Sequence, residues 1–315
     1  MADGPLRSSL CTEASLTSDR FVRWAERIRP AWAHAGSGLP VLIHRKLWEW
    51  LFIIEALSER GMLLPGRRGL GFGVGNDPLP SLFASLGCEI VATDLDVAQA
   101  TEAGWVAGGQ HAAALADLNR AGLCDPDQFA QRVSFRPVDM NRIPDGLRGF
   151  DFTWSACAFE HLGSIERGQE FLLRQMSCLR PGGVAVHTTE FNVSSDRSTV
   201  TWGPTVLFRR RDVDWIARHL RRGGDRLDVD FDTGSSVADR HVDVPPYTNV
   251  HLKTMVSSYV TTSLALVIEK NPDRPAERSV APWRQARLRG SDVWHDRLGP
   301  QWRRMVSKWR TEPRR

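Results

Sequence analysis

The sequence predicts a doubly wound α/β fold on a mostly parallel seven-stranded sheet, with an N-terminal helical extension and a basic C-terminal tail. Three observations predict it. Short apolar runs at residues 69–74, 89–93, 133–136, 150–155 and 184–189 alternate with helical or loop segments, the pattern of a parallel sheet covered by helices on both faces. A glycine-rich turn, Gly69-Leu-Gly71-Phe-Gly73-Val-Gly75, closes the first of these runs. Finally, 315 residues with 42% hydrophobic content can bury one sizeable core, read here as a single elaborated domain.

Residues 1–65 read as the helical extension, with a Gly/Pro break at 36–40 and then a helix over 41–60. That helix is apolar on most sides (Leu47, Trp48, Leu51, Phe52, Ile54, Leu57), so it packs against the body. The first strand, the glycine turn and a helix over 79–86 follow. Ser164 offers an N-cap to a helix that carries Ile165, Leu172, Met176 and Leu179 on one face and is stopped by Pro181-Gly182-Gly183. Asp212 opens another, with Val213, Ile216 and Leu220 on one stripe, ended by Gly223-Gly224. Strands at 226–231 and 258–268 complete the sheet. The long polar segment between them, 232–254, is read as a substrate loop, because loops of that length are generally functional or disordered. The domain therefore spans 66–270, and the tail 271–315.

Several classes are excluded by composition. The longest apolar stretch, 47–57, is interrupted by Glu49 and Glu55 and falls far short of the roughly 20 apolar residues a membrane helix needs. Residues 1–16 have no apolar central run, so a cytoplasmic protein is expected. Five cysteines, odd in number and never spaced as C-x-x-C, argue for reduced thiols rather than a disulfide scaffold or zinc knuckle. The net charge of +4 is uneven: residues 274–315 hold 12 Lys/Arg against 4 Asp/Glu, leaving 29 against 33 in the rest. The basic character belongs to the tail, which disfavours nucleic acid as the partner of the body. Within the tail, Trp302, Met305 and Trp309 recur at helical spacing. Such a helix can pack on the body with a solvated basic face, lie on an anionic membrane surface, or contact nucleic acid.

The chemistry starts at the turn. Alternate glycines let the backbone bend sharply and approach a ligand without a Cβ in the way, and the helix start beyond presents free N–H groups. Asp94 ends the next strand 19 residues after Gly75, where a carboxylate can accept hydrogen bonds from both hydroxyls of a ribose. Asp139 and Met140 follow the third strand, where an acid beside a flexible apolar side chain can read an exocyclic amine and pack on a purine. The alternatives are plain turn residues. A nicotinamide-linked dehydrogenase shares such a turn, but its glycines are spaced G-x-G-x-x-G, and here position 76 is asparagine.

Together, Gly71-Phe-Gly73-Val-Gly75, Val91-Ala-Thr-Asp94, Val138-Asp139-Met140, residues 150–156 with Phe159-Glu-His161-Leu, and Leu179-Arg-Pro181-Gly-Gly183 resemble the class I, Rossmann-like S-adenosylmethionine-dependent methyltransferases over residues 69–270. The resemblance implies S-adenosylmethionine as cofactor. It implies that Gly71, Gly73 and Gly75 line the methionine part, Asp94 and Leu95 the ribose, Asp139 and Met140 the adenine, and that Ser155, Ala156 and Cys157 edge the reacting centre. There is one departure. Members usually carry an acid two residues before the first of the three glycines, and this chain has Gly69 there. Arg45, Trp48 and Glu49 on the preceding helix are candidates to replace it if that helix folds over the cofactor; otherwise the helix only packs. Loss of catalysis with retained cofactor binding is the corresponding alternative, and an RNA-binding protein on the same scaffold is another.

Methyl transfer from a sulfonium is an in-line displacement whose main demand is near-attack geometry; a base is needed only if the acceptor must lose a proton. Candidate bases are Glu190, at the end of the fifth strand, His161, His187, His241 and His251. Of these, His187 lies in an apolar strand and reads as a buried core residue. The alternation Asp239-Arg-His241-Val-Asp243 could set three ligands on one side of a strand, although a salt-linked loop explains it equally well and no metal is assigned. Trp48, Asn192, Trp202 and Tyr247 are the expected acceptor-binding residues, a mix of hydrogen-bonding groups and flat apolar walls that suits a small molecule or a glycan hydroxyl. The general layout, including His44-Arg-Lys-Leu-Trp48-Glu, is similar to methyltransferases of bacterial cell-surface glycan pathways.

Overall fold

The computed structural model describes residues 4–29, 41–102, 104–107, 111–112, 114–247 and 250–273. The basic tail, with Trp302, Met305 and Trp309 and the helix expected there, lies outside these residues. The sheet strands, in chain order, are β1 (Ser8–Leu10), β2 (Arg68–Gly71), β3 (Glu89–Asp94), β4 (Val133–Pro137), β5 (Phe150–Ala156), β6 (Leu179–Asn192), β7 (Val229–Asp230), β8 (Val242–Asp243), β9 (Lys253–Val256) and β10 (Tyr259–Glu269). The principal helices are α1 (Glu13–Leu16), α2 (Asp19–Ile28), α3 (Arg45–Ser58), α4 (Leu79–Ser85), α5 (Val97–Glu102), α6 (Pro126–Arg132), α7 (Ile165–Arg174), α8 (Arg210–Arg222) and α9 (Val237–Arg240). None of the described helices is long and apolar enough to cross a membrane.

The doubly wound α/β architecture is present. The sheet runs β4-β3-β2-β5-β6-β10-β1-β7, with β9 on β10 and β8 on β9. From β4 to β6 all pairs are parallel, while β10 is antiparallel to β6. The chain winds outward from β2 to β4, then returns to place β5 on the other side of β2. That reversal opens a crevice at the carboxyl ends of β2 and β5, where sheets of this kind bind ligands. Apolar clusters on the two faces explain the pattern. One gathers α2, α3, α4 and α6 around Phe52, Phe83, Phe152 and Trp154; the other gathers α7 and α8 around Phe72, Phe159, Phe171 and Phe208.

Among the described residues ten strands rather than seven form, because sequence periodicity does not reveal the short ones. The N-terminal segment expected to be helical contributes β1, which slots between β10 and β7, antiparallel to the first and parallel to the second. Three residues carry no periodicity; what makes them a strand is the pairing of Ser9 and Leu10 with Ala265 and Leu264. The helix expected to run to Pro181 stops earlier, since α7 ends at Arg174 and Leu179 opens β6 by pairing with Phe150. Asp212 sits in the first turn of α8 rather than starting it, accepting the Arg209 N–H at 3.0 Å.

Helix α3 positions the site. Eleven of its fourteen residues are buried, Arg45 and Glu49 among them, as befits a helix packed on several sides. The imidazole of His44 caps it, Nδ1 accepting the Lys46 N–H at 3.0 Å. Its first turn is also tied to the far end of the fold. The Arg45 N–H donates to the His251 carbonyl, and the His251 N–H to that of Ile43. The helix thereby starts over the carboxyl ends of the central strands.

Candidate functional site

The glycine turn is shaped by its neighbours. Phe72 N–H donates to the Trp154 carbonyl on β5, and Val74 N–H to the Thr93 carbonyl on β3, so the turn lies across both flanking strands. A side chain at Gly71 would overlap the Trp154 ring and Val74, and one at Gly73, whose φ is +56°, would come within 2.9 Å of Ala158 Cβ. These contacts and the left-handed backbone require glycine. Gly75 has a φ of +51° and aims its N–H at Asp94 Oδ2, 3.0 Å away. The other carboxylate oxygen of Asp94 accepts the Leu95 N–H at 2.8 Å. Burial raises the carboxyl of Asp94, and these two backbone donors oppose the rise. The turn and the acid thus form one unit. Buried Met140 places its sulfur beneath Gly73, 3.4 Å from where a Cβ would stand. Asp139 caps the turn at 140–142, its Oδ1 accepting the Asn141 N–H at 2.8 Å.

Not every predicted ligand residue turns toward this crevice. The Ser155 side chain is fully buried, its Oγ 2.8 Å from His187 Nδ1, so only its backbone borders the site. His187 is the core residue expected, and burial drives its imidazole down to about 3. Ala156 ends β5, and Cys157 follows in a left-handed conformation with φ +51°. Its N–H is shared between the carbonyl (3.1 Å) and hydroxyl (3.0 Å) of Thr188. Gly69 has its own explanation: any side chain there would collide with the Phe152 ring on the adjacent strand. An acid cannot occupy this position.

Charge enters instead from α3. Arg45 grips Glu190 through two contacts of 2.5 Å, both side chains buried. Lys46 Nζ lies 2.8 Å from Glu49 Oε2, and Glu49 Oε1 accepts the Ser263 hydroxyl at 2.5 Å. Burial works against the charge of Glu49, but Lys46 and Arg45 outweigh it and hold the carboxyl below its ordinary value. Asp77, just past the glycine turn, is pushed up to about 6 by burial, against the pull of Lys46. Electrostatic interactions also link Cys157 to Lys46, Glu49, Glu160 and Glu190. The mouth of the crevice therefore holds both cationic and anionic groups.

Glu160 is the unusual member. It is fully buried, accepts the Thr189 hydroxyl on Oε2 at 3.2 Å, and has no hydrogen-bond partner for Oε1 among the described residues. Burial, reinforced by the charge of Glu190, pushes it up to about 8. Since an ordinary glutamate ionises near 4.5, the unfolded chain releases this proton well before the folded one. The stability it contributes is complete below that value and is lost as pH rises through about 8. Glu160→Gln keeps the neutral form at every pH. It should melt close to the parent at pH 4.5, yet above it by roughly 10 °C at pH 9. Thermal melts across that range check this, and parallel curves would refute it.

Of the candidate bases, Glu190, His161 and His241 fare differently. Glu190 is committed to the Arg45 pair. His161 is held by Nδ1 against the Pro204 carbonyl at 2.8 Å, with Trp105 against its ring at a centroid distance of 4.6 Å, and burial lowers it to about 4. His241 is exposed, just past α9. The expected alternation around it fails because 237–240 is helical: Asp239 caps that helix through Ser236 and accepts the Glu13 N–H at 2.8 Å. Asp243, on β8, is bound to His251 instead.

The predicted acceptor residues are also scattered. Trp48 is a core residue, fully buried against Phe52, its indole N–H donating to Ser15 Oγ at 2.7 Å. Asn192 spends its amide on its own loop, with Ser194, Ser195, Ser198 and Thr199 as partners. Trp202 is 75% exposed, which suits a docking wall. Tyr247 stands edge-on to His251 at a centroid distance of 5.3 Å. His251, also a candidate base, is brought together with His44 and Asp243, a pairing that residue-by-residue reading does not give. The histidine rings stack 4.6 Å apart, and His251 Nδ1 is 2.5 Å from Asp243 Oδ2.

No family model matches the chain, and no curated protein matches it. Among solved structures it is similar to the DhpI–SAH complex, with 16% identity, 83% of this chain and 100% of that chain covered, and a TM-score of 0.42. It is also similar to the magnesium protoporphyrin IX methyltransferase of Synechocystis with bound SAH, with 13% identity, 81% and 96% covered, and a TM-score of 0.43. A third is the S-adenosylmethionine-dependent methyltransferase of Mesorhizobium loti, with 14% identity, 69% and 97% covered, and a TM-score of 0.42.

Proposed function

We propose that the chain is an S-adenosylmethionine-dependent methyltransferase acting on a hydroxyl of a small molecule or glycan. The observation that carries this reading is the turn at 71–75, stripped of side chains where Trp154, Val74 and Ala158 crowd it, and joined to Asp94 at the carboxyl edge of the sheet. The residues fit that cofactor. Asp94 would receive the ribose hydroxyls, Met140 would pack under the adenine, and the glycine backbone would pass beneath the amino-acid portion. Lys46 and Glu49 carry the charges that a carboxylate and an ammonium need, so the first turn of α3 takes over the task that Gly69 cannot perform.

When bound, S-adenosylmethionine supplies an electrophilic methyl group that already carries its leaving group. The protein then has to position the acceptor, exclude water and accept a proton. Cys157 and the backbone of residues 155 and 156 form the floor of the reacting centre, while α3 closes it from above. The exposed Trp202 and the edge-on Tyr247 supply the flat surfaces on which a sugar or aromatic acceptor can lie.

The test is calorimetry with S-adenosylhomocysteine. Asp94→Ala removes a charged acceptor of two hydrogen bonds, each worth about 1.5–3 kcal/mol, so affinity should fall by about 100-fold or more. The ligand-induced rise in Tm should fall with it. If neither S-adenosylmethionine nor S-adenosylhomocysteine binds the parent chain, the proposal is wrong.

A further inference from the structure

We infer that His251, oriented by Asp243, is the base that removes the proton from the acceptor hydroxyl, an assignment that rests on the methyl-transfer reading above. The argument is geometric. Asp243 is 1% exposed and His251 4%, yet they share a contact of 2.5 Å through Nδ1. A carboxylate on Nδ1 fixes the tautomer that carries its proton there, which leaves the lone pair on Nε2. The ring is held on a second side by His44, stacked at 4.6 Å with an interplanar angle of 25°. His44 cannot share the task. Its Nδ1 lone pair is already used by the Lys46 N–H, and burial together with the neighbouring His251 keeps it well below the ordinary imidazole value. One proton is therefore the capacity of the stacked pair, and Asp243 places it on His251.

The location matches the chemistry. The backbone of His251 is bonded to that of Ile43 and Arg45 at the start of α3, and the Arg45 side chain reaches Glu190 at the carboxyl end of β6. The groups facing His251 are His44 and Arg45 from α3 and its cap, Asp243 from β8, Tyr247 from the following loop and Glu190 from β6. Burial and Arg45 lower its imidazole, while Asp243 and Glu190 oppose that. The unprotonated ring is accordingly the form present at neutral pH. A buried aspartate spent on orienting a histidine is an expensive arrangement for a loop whose only task is packing.

In the step itself, an oxygen lone pair of the acceptor forms the O–C bond to the methyl carbon as the C–S bond breaks. The sulfur keeps that electron pair and becomes a neutral thioether. The hydroxyl proton passes to His251 Nε2, and the imidazolium formed is stabilised by Asp243 until the proton leaves to solvent. A neutral amine already carries a free lone pair and depends on such a group less than a hydroxyl does, so the dyad points to the hydroxyl class. Asp243 is a positioning residue in this scheme.

The experiment uses the full chain, methyl-labelled S-adenosylmethionine, and matched acceptors: phenols and 4-nitrophenyl glycosides against the corresponding anilines and amino sugars. Hydroxyl acceptors should be methylated, with a rate that rises with pH through a value below 6.5 and then levels. His251→Asn should lower kcat on sugar or phenol hydroxyls by about 10²–10⁴-fold, abolish that acidic limb, and leave the affinity for S-adenosylhomocysteine unchanged. Activity should return toward the parent rate on 4-nitrophenol, which ionises without help. Asp243→Asn should act in the same direction with KM unchanged. The assignment is overturned if His251→Asn keeps the hydroxyl rate, if only amines or no hydroxyls are methylated while S-adenosylhomocysteine still binds, or if the parent profile lacks an acidic limb, a readout that requires no variant to fold. Absence of S-adenosylhomocysteine binding is a separate result, and removes the methyl-transfer reading with it.

Discussion

Gly69→Asp, which introduces the acid that the sequence resemblance implies at this position, is expected to unfold the domain rather than improve cofactor binding. The added Cβ would overlap the Phe152 ring and come within 3.0 Å of Ile90. Phe152 cannot yield, since it is fully buried, edge-on to Phe83 at 5.6 Å and stacked on Trp154 at 5.7 Å. Interiors this dense absorb little extra volume, and the new carboxylate would be buried as well. A loss of about 4 kcal/mol or more is expected, near the extreme for single substitutions. That corresponds to a fall in Tm of roughly 10 °C for a domain of this size. Thermal melts decide it. A variant melting within 2–3 °C of the parent, on the scale where 1 kcal/mol is worth about that much, would show that the ring can move. Adding Phe152→Ala to the same chain should recover part of the loss, because the clash is then gone.

The second large effect concerns Arg45. Its guanidinium is paired twice with Glu190, and both are buried. Burial opposes the charge on Arg45, but Glu190 outweighs it and the guanidinium is held more firmly protonated than usual. Arg45→Ala leaves Glu190 buried without its counter-charge, next to Glu160. Breaking one side of such a pair costs about 3–5 kcal/mol. Replacing both partners, as Arg45→Met with Glu190→Met, should return stability close to the parent, since apolar pairs of similar volume substitute well for buried ions. Equilibrium denaturation of the single and double variants gives the comparison. Equal stability of Arg45→Ala and the parent would mean that the pair does not need its cation. If the double variant is as stable as the parent but fails to bind S-adenosylhomocysteine, the pair shapes the site rather than the fold.

Much of the frame was legible along the chain. The five central strands are short apolar runs bounded by Gly, Pro or Asp, and strands buried on both faces read in this way. Gly71, Gly73 and Asp94 were readable because a glycine-bearing turn and an acid at the next strand end are local features of the sequence. Ser155 shows the limit of the same logic. In a strand buried on both faces no alternation tells which way a side chain points, and this one points to His187. Trp48 misled for a similar reason, because an apolar helix reveals that it is buried but not which residue lines an opening.

Contacts distant in sequence were not legible. Arg45 and Glu190 are separated by 145 positions, and only the crossing of α3 over β6 brings them together. The run Asp239 to Asp243 suggested a strand with three ligands on one side. A capping serine at 236 makes a turn of helix there and sends each residue elsewhere. The strand β1 has no internal signal because its whole justification lies in the edge of β10.

Amino-acid order alone settled the layered α/β frame, the bare turn and its acid, since those depend on periodicity, backbone freedom and nearest neighbours. Which side chains meet above that turn was decided by the folded chain. Pairing Arg45 with Glu190 and Asp243 with His251 depends on where separate elements end in space, and the desolvation that makes these groups useful exists only once the core has closed over them.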